Sequence, residues 1–249
     1  IEERMENYQP DEILYVVDKR QEMHFIQVFR CARKAGMVKE DTKLSFLGFG
    51  TMNGKDGKPF KTRDGGVMSL KGLINLVEQE TKKRINPDTF EEEEKEEIAK
   101  TVAIAALKYA DLLPFRGTDY IFEPEKFADL EGKTGPYLLY STIRMKSLLT
   151  KGSNLELGKI TKFKTETEKD IALTILRLPI VLNKSLDSRS LNDITEYIYK
   201  LTSLYNKFYA ENKILTEEDP EKRESWLVLT KVVYNINILL LDTLGIKVP

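Results

Sequence analysis

The chain has 249 residues, of which 41% are hydrophobic and 32% are charged, so it is long enough to bury one large core or two ordinary ones. Its 39 basic and 40 acidic side chains leave a formal net charge of −1, which excludes nucleic-acid binding through overall charge and leaves only local patches. The single cysteine, Cys31, excludes an internal disulfide and a multi-cysteine zinc site. We expect it to be a small buried helix residue.

The sequence predicts no membrane span, because no run approaches the roughly 18 uninterrupted apolar residues that one needs. Even the apolar stretch 232–244 is interrupted by Asn235, Asn237 and Asp242. We therefore expect a soluble chain. It opens at Ile1 with IEERMENYQPDE, which lacks the apolar core of a signal peptide, and we expect it to be part of a longer protein.

The first part of the chain has the pattern of an α/β protein. The run ILYVV at 13–17 predicts a short buried strand, and helical periodicity follows from Asp18 to a stop at Gly36. A second apolar run at 44–49 predicts another strand, which leads into the turn-rich NGKDGKP and KTRDGG and then a helix near Ser69. Strand, helix, strand is the arrangement found at the end of an α/β sheet.

After Pro87 the pattern changes to long amphipathic helices. We place them at 89–109, 134–149, 165–182, 190–215 and 220–244. The first begins with the acidic run EEEEKEE, where negative charge favours a helix N-terminus. The sequence thus predicts an α/β remnant followed by an all-α bundle, mainly α overall.

The glycine-rich segment GTMNGKDGKPFKTRDGG carries Lys55, Lys58, Lys61 and Arg63 beside the end of a strand, where ligands of open α/β sheets usually bind. Backbone N–H groups and mobile cations on such a loop can stabilise charge on phosphates without a nucleophile from the protein. On composition alone, such a basic turn is more often an exposed hairpin.

MNGKDGKPFKTRDGG resembles the signature loop of arginyl-tRNA synthetases, a variant of the KMSKS loop of class I synthetases. The resemblance implies ATP contacts from Lys58, Phe60, Lys61 and Thr62, and catalytic roles for Lys61 and Arg63. Thr62 stands where the general consensus has its second lysine. Which of Lys58, Lys61 and Arg63 contacts phosphate stays open.

The upstream segment YVVDKRQEMHFIQVFRCARKAG is similar to the family's strand and helix at the end of the arginine and adenylate pocket. Carried over residue by residue, Gln21 would bind the substrate arginine and His24 would lie near the ATP. A guanidinium has only donors, so its pocket needs acceptors such as the Gln21 carbonyl. Class I enzymes also need a HIGH-type motif with two histidines, and this chain has one histidine.

Two columns of aromatic and basic side chains are suited to binding unpaired RNA. In such binding, aromatic rings stack on the bases and cations hold the phosphates. Tyrosines at this spacing are also typical of a bundle core. In each column the residues recur at helical spacing on one face. The two columns are Tyr137, Tyr140 and Arg144, and Tyr205, Tyr209 and Lys213.

The segment from Lys108 onward, above all GKTGPYLLYSTIR, resembles the family's junction between its catalytic and anticodon-binding domains, and the remainder resembles the DALR helical bundle. The resemblance implies that Tyr140, Arg144, Tyr209 and Lys213 contact the tRNA anticodon loop. It also implies that residues 1–115 are the C-terminal part of a Rossmann-type catalytic domain with the KMSKS-like loop. Residues 116–249 would then be the DALR domain.

The resemblance implies part of an arginine–tRNA ligase that uses ATP, L-arginine and the arginine tRNA. Mg²⁺ is expected with the ATP, and no structural metal, no membrane contact, a monomer and a cytoplasmic location are expected. A chain without the two-histidine motif is expected to be inactive by itself. The alternative is a free-standing helical RNA-binding module without catalysis, although such a module would not need the region 13–66. The related cysteine enzyme is disfavoured because it needs several zinc ligands.

Overall fold

A computed structural model of the chain describes residues 1–58, 69–83, 92–152, 160 and 163–249. It separates into two compact units. We call residues 1–60 with 114–121 the strand unit, and residues 61–113 with 122–249 the helical unit.

The strand unit contains the predicted strand–helix–strand arrangement. β1 and β2 pair in parallel, in register from Glu12 opposite Lys43 to Asp18 opposite Phe49, and β3 pairs in parallel with β4. The expectation of an α/β remnant is thereby confirmed. The elements are α1 (Glu2–Tyr8), β1 (Glu12–Asp18), α2 (Glu22–Lys34), β2 (Lys43–Phe49), β3 (Met52–Asn53) and β4 (Tyr120–Ile121).

An aromatic cluster holds α2 against one face of β1 and β2. The ring of Tyr15 lies 5.0 Å from that of Phe25, which in turn lies 5.7 Å from Phe46 on β2. Side chains alternate across a strand, so Leu14 and Val16 point to the other face, where they are 44% and 58% exposed. The helix therefore covers one side of this strand pair.

α2 ends as its sequence predicts, but it begins at Glu22 and not at Asp18. A 3-10 turn, in which the Asp18 carboxylate accepts a hydrogen bond from the Arg20 amide, connects β1 to the helix. At the other end Gly36 has φ +69°, a conformation that favours glycine, and the Met37 amide donates to the Ala32 carbonyl at 3.0 Å. The expectation for Cys31 is wrong, because this residue lies on the outer face of α2 and is exposed.

The helical unit surrounds one large apolar core. Side-chain caps begin several of its helices; for example, Ser69 accepts from the Gly72 amide and Thr134 from the Tyr137 amide. The core includes the fully buried Tyr205, Phe208 and Leu240. The helices are α3 (Leu70–Lys82), α4 (Glu92–Leu112), α5 (Pro124–Phe127), α6 (Gly135–Lys151), α7 (Glu166–Leu176), α8 (Leu178–Ser188), α9 (Asn192–Glu211) and α10 (Pro220–Thr243).

Two of the helices predicted after Pro87 end well before the expected residue in the structure, whereas the described ends of the others lie within three residues of the prediction. The helix expected at 165–182 is two helices, α7 and α8, and Pro179 lies in the first turn of α8, where its missing N–H costs no hydrogen bond. The helix expected at 190–215 ends at Glu211, because Asn212 is extended, with φ −131° and ψ 129°. Helical periodicity alone does not reveal such interruptions.

α10 is long and apolar enough by composition to cross a membrane, but half of its apolar window is buried inside the protein. Trp226 and Leu240 lie in the core of the helical unit. Asn237 is fully buried and donates to the hydroxyls of Thr142 and Thr202, at 3.3 and 3.0 Å. α10 is therefore a core helix of the bundle.

Candidate functional site

Three of the four predicted RNA contacts lie together where α6 packs against α9. The guanidinium carbon of Arg144 lies 5.6 Å from the ring centroid of Tyr140 and 4.6 Å from that of Tyr209, both within cation–π range. Tyr140 is 54% exposed, and the other two residues are half-buried. We call the surface formed by Tyr140, Arg144 and Tyr209 the α6–α9 face.

A hydrogen-bond network under this face fixes the arginine. An Nη2–H of Arg144 donates to Oδ1 of Asn206. The Nδ2 of Asn206 donates to the hydroxyl of Tyr137 at 2.7 Å and to that of Ser141 at 2.9 Å. The Tyr137 hydroxyl also lies 3.3 Å from the hydroxyl of Ser203. Sequence reasoning missed Asn206, although its position three residues before Tyr209 on α9 puts it on the same helix face.

Local sequence determines where α6 presents these side chains. Thr134 caps the helix, accepting from the Tyr137 amide at 3.2 Å, and thereby sets its first residue. Gly135 allows α6 to approach α4, since a Cβ there would lie 2.3 Å from the carbonyl oxygen of Ala105. Tyr140 and Arg144 then follow at helical spacing on one face.

The second predicted column does not form as expected. Tyr205 is fully buried, its hydroxyl donates to Thr230 at 3.2 Å, and burial raises its pKa to about 12. It is a core residue, which agrees with the alternative that tyrosines at this spacing belong to the core of the bundle. Lys213 is exposed but lies beyond the end of α9 at Glu211, so it does not continue the helix face of Tyr209.

The arginine retains hydrogen-bonding capacity. One of the N–H groups of Arg144 donates to Asn206, and the side chain is only half-buried. A guanidinium has five N–H donors and stays charged. Beside the exposed ring of Tyr140, this cation can hold a phosphate or an acceptor edge of a base while the ring stacks on a base.

In the strand unit, Gln21 and His24 lie at the start of α2, directly after the carboxyl end of β1. Both side chains are exposed, and the His24 ring meets Phe25 edge-on at 5.4 Å. The neighbouring Asp18 stabilises the turn between β1 and α2. Its carboxylate accepts from Arg20 at 2.9 and 2.6 Å, and these hydrogen bonds lower the Asp18 pKa to about 2.

The segment 114–121 holds the carboxyl end of β2 in place. Lys19 donates to Asp119 at 2.9 Å and to the Gly117 carbonyl at 3.2 Å, and Asp119 accepts from the Thr51 amide at 2.7 Å. A Cβ at Gly50 would lie 2.3 Å from the carbonyl oxygen of Thr118. The end of the strand that precedes the basic loop is therefore fixed by backbone contact.

The first part of the basic loop is a tight turn. The Gly54 amide donates to the Lys58 carbonyl at 2.8 Å, and the Lys58 amide donates to the Asp56 carboxylate at 3.1 Å. Lys58 is exposed. The other predicted loop residues, Phe60, Lys61, Thr62 and Arg63, lie outside the described residues.

Metal-binding residues do not cluster in the described ranges. No group of three or more histidine, cysteine, aspartate or glutamate side chains there is arranged to hold an ion. We therefore assign no ligand to a metal.

Two family models match successive parts of the chain. The catalytic domain of class I tRNA synthetases (R) matches residues 1–124, and the DALR anticodon-binding domain matches residues 138–249. The expected division at residue 115 stays a prediction, since the compact units group α3 and α4 with the later helices.

Curated relatives match almost the whole chain. It is 44% identical to an arginine–tRNA ligase of Alkaliphilus oremlandii and 42% identical to one of Agathobacter rectalis. In both cases 99% of this chain is covered, and it spans 43% of the length of the relative.

Solved structures share the fold. The arginyl-tRNA synthetase of Thermus thermophilus matches with a TM-score of 0.83 at 24% identity, covering 97% of this chain and 41% of that one. The enzyme of Plasmodium falciparum matches with a TM-score of 0.78 at 24% identity, covering 99% and 42%. From its catalytic-domain match, its DALR match and its relatives, the chain belongs to the arginyl-tRNA synthetase family.

Proposed function

We propose that this chain is part of an arginine–tRNA ligase and that it binds the anticodon loop of the arginine tRNA through the α6–α9 face. In the complete reaction, the carboxylate of arginine attacks the α-phosphate of ATP and pyrophosphate leaves. The arginyl group then passes from the adenylate to the 3′-terminal ribose of the tRNA, releasing AMP. The chain's relatives are named arginine–tRNA ligases.

One observation carries the RNA-binding part of the proposal: Arg144 lies against the exposed ring of Tyr140, and its guanidinium is held by a hydrogen bond to Asn206. An unpaired loop offers bases that can stack on a ring and phosphates that need a cation. The face supplies both within one helix turn of α6. Tyr209, on the other side of the guanidinium, completes it, and Lys213 is a further phosphate contact that the loop after α9 supplies.

The strand unit supplies the nucleotide and amino-acid side of the proposal. Gln21 offers a carbonyl oxygen to the substrate guanidinium, and His24 lies one turn along α2, near the ATP. Lys58 and the segment Phe60, Lys61, Thr62 and Arg63 close over the phosphates and stabilise charge on the leaving pyrophosphate. Mg²⁺ accompanies the ATP, and none of the described residues is assigned to it.

The remaining features of the proposal follow from the family. We further propose that the protein acts in the cytoplasm as a monomer, as the family resemblance implies. A free-standing RNA-binding module is the second candidate function. The strand unit makes this candidate the weaker one, because a module of that kind needs no parallel strands or basic loop.

The proposal is tested by the affinity of the 249-residue chain for two RNA hairpins. One carries the anticodon stem and loop of an arginine tRNA, and the other has the same stem with the three anticodon nucleotides replaced. We expect the first hairpin to bind more tightly, and Arg144→Ala to weaken the binding of both hairpins, because both contain the phosphates that this cation holds. Equal affinity for both hairpins favours the free-standing module, and binding unchanged by Arg144→Ala contradicts the proposed face.

A further inference from the structure

We infer that Asn206 is a positioning residue for RNA binding, whose neutral amide fixes the guanidinium of Arg144 while leaving its positive charge uncancelled. The inference rests on the proposed function of the α6–α9 face. It adds a residue that touches no RNA in this scheme and acts through Arg144. The three contacts of Asn206, to Arg144, Tyr137 and Ser141, all belong to this face or to the network below it.

The orientation of the amide is dictated by its neighbours. An asparagine side chain offers one carbonyl oxygen and two N–H donors, whereas a guanidinium can only donate. The oxygen of Asn206 must therefore face Arg144, and its two N–H groups then reach the hydroxyls of Tyr137 and Ser141. A flipped amide would set N–H groups against the guanidinium. The network thus holds one arrangement of the arginine.

The neutrality of residue 206 matters as much as its geometry. An aspartate has almost the same shape and would accept the same hydrogen bond from Arg144, with added strength from its charge. It would also cancel the charge that a phosphate needs. None of the described carboxylates is paired with Arg144, whereas exposed lysines nearby, such as Lys207, do form ion pairs. Asn206 thus supplies the hydrogen bond of a carboxylate without its charge.

A purely structural role for Asn206, fastening α6 to α9, makes a different prediction. Such a role requires only that the hydrogen bonds persist, and the carboxylate of an aspartate can accept from Arg144 and from both hydroxyls. A variant that keeps the bonds and changes the charge therefore separates positioning of a cation from simple fastening.

The experiment compares Asn206→Asp with Asn192→Asp, which adds the same charge to the same helix. Asn192 lies 14 positions away, about 21 Å along α9, or about two Debye lengths at 0.1 M salt. Asn192 accepts from the Ser190 hydroxyl at 2.8 Å, a bond that an aspartate retains. Affinity for the hairpin with the arginine anticodon loop is measured from 50 to about 300 mM salt, a range over which phosphate contacts weaken strongly, together with the melting temperature.

We expect Asn206→Asp to melt near the wild-type temperature and to bind about 5- to 50-fold more weakly at low salt, as for the loss of one phosphate contact. Log affinity decreases with log salt, and this negative slope should become shallower by about 0.7 to 0.9. Asn192→Asp should keep the wild-type slope. Asn206→Ala should weaken binding with the slope nearly unchanged, because the charge remains while its position is lost.

Two results overturn the inference. Asn206→Asp with wild-type affinity and slope does so, and so does a weaker variant with an unchanged slope and a lowered melting temperature, which marks a structural role. Arg144→Ala separates these failures from failure of the proposed function. If Arg144→Ala weakens binding and Asn206→Asp does not, only the inference fails; if Arg144→Ala has no effect, both fail.

Discussion

At the scale of single residues, the tyrosines of α6 and α9 divide into two kinds that their spacing does not distinguish. Tyr140 is 54% exposed beside Arg144, whereas Tyr205 is fully buried and hydrogen-bonded to Thr230. Truncating the first removes a stacking surface, and truncating the second leaves a cavity in the core. The two residues therefore form a matched pair for separating binding from folding.

We predict that Tyr140→Ala weakens binding of the anticodon hairpin about 5- to 150-fold, which corresponds to about 1–3 kcal/mol for a stacked base. Its free energy of unfolding should change by less than about 1 kcal/mol, because the ring is exposed. Tyr205→Ala should instead lose about 3–5 kcal/mol of stability and keep its affinity while folded. Hairpin titration and urea denaturation of both variants check this. A Tyr140→Ala variant with wild-type affinity removes that ring from the site.

At the scale of elements, the start of α6 depends on glycine at one position. A methyl group at Gly135 would meet the backbone of Ala105 on α4, whereas one at Gly152 would meet the flexible end of Leu227 at 3.1 Å. We predict that Gly135→Ala costs about 1–3 kcal/mol of stability by forcing α6 away from α4. Gly152→Ala, the matched control, should cost less. Urea denaturation measures both, and equal costs would contradict the close approach of these helices.

A second element-scale feature joins α7 to α10 through one buried carboxylate. Burial alone would raise the pKa of Glu168, but hydrogen bonds from Trp226, Thr165 and the Lys164 amide outweigh it and lower the pKa. The Trp226 indole N–H donates at 2.7 Å, and the Thr165 amide does so at the same distance in the capping box that begins α7. The folded protein therefore stabilises the ionised form of Glu168.

A group with a lowered pKa in the folded state contributes stability above its unfolded pKa, about 4.3 for glutamate, and loses it as the pH falls through the folded value. We predict that Glu168→Gln is less stable than the wild type at pH 7 by about 1–3 kcal/mol. The difference should narrow as the pH is lowered from 5 towards 3. Urea denaturation at several pH values tests this, and a difference that is constant or grows on acidification would be inconsistent with an ionised Glu168.

At the scale of the whole molecule, the sequence predicted the strand–helix–strand order and the helical bundle because hydrophobic period and turn residues are local signals. It could not predict the end of α9 at Glu211, after which Lys213 lies off the helix. It missed the break before Pro179, although a proline within a helical pattern is itself a local signal of a helix boundary. It also missed Asn206 and Asp119, whose partners lie 62 and 100 positions away in the chain. Side-chain pairs of that kind become visible only when the fold brings them together.

The 249-residue chain is also predicted to lack one activity. Its one histidine leaves no two-histidine motif for binding ATP, so we predict that the 249-residue chain gives no arginine-dependent exchange of pyrophosphate into ATP. The assay is run with and without tRNA, with a full-length relative as the positive control. Exchange above background with the purified chain would contradict the prediction that this activity needs a two-histidine motif.

Chemical-shift mapping tests most directly whether the α6–α9 face holds the anticodon loop. The labelled chain is titrated with the hairpin that carries the arginine anticodon loop, and side-chain signals of tyrosine and arginine are followed. We predict that the largest changes occur at Tyr140, Arg144 and Tyr209, while the buried Tyr205 changes little. Binding that leaves these three signals unchanged, with its largest shifts elsewhere in the chain, would contradict the proposed role of this face.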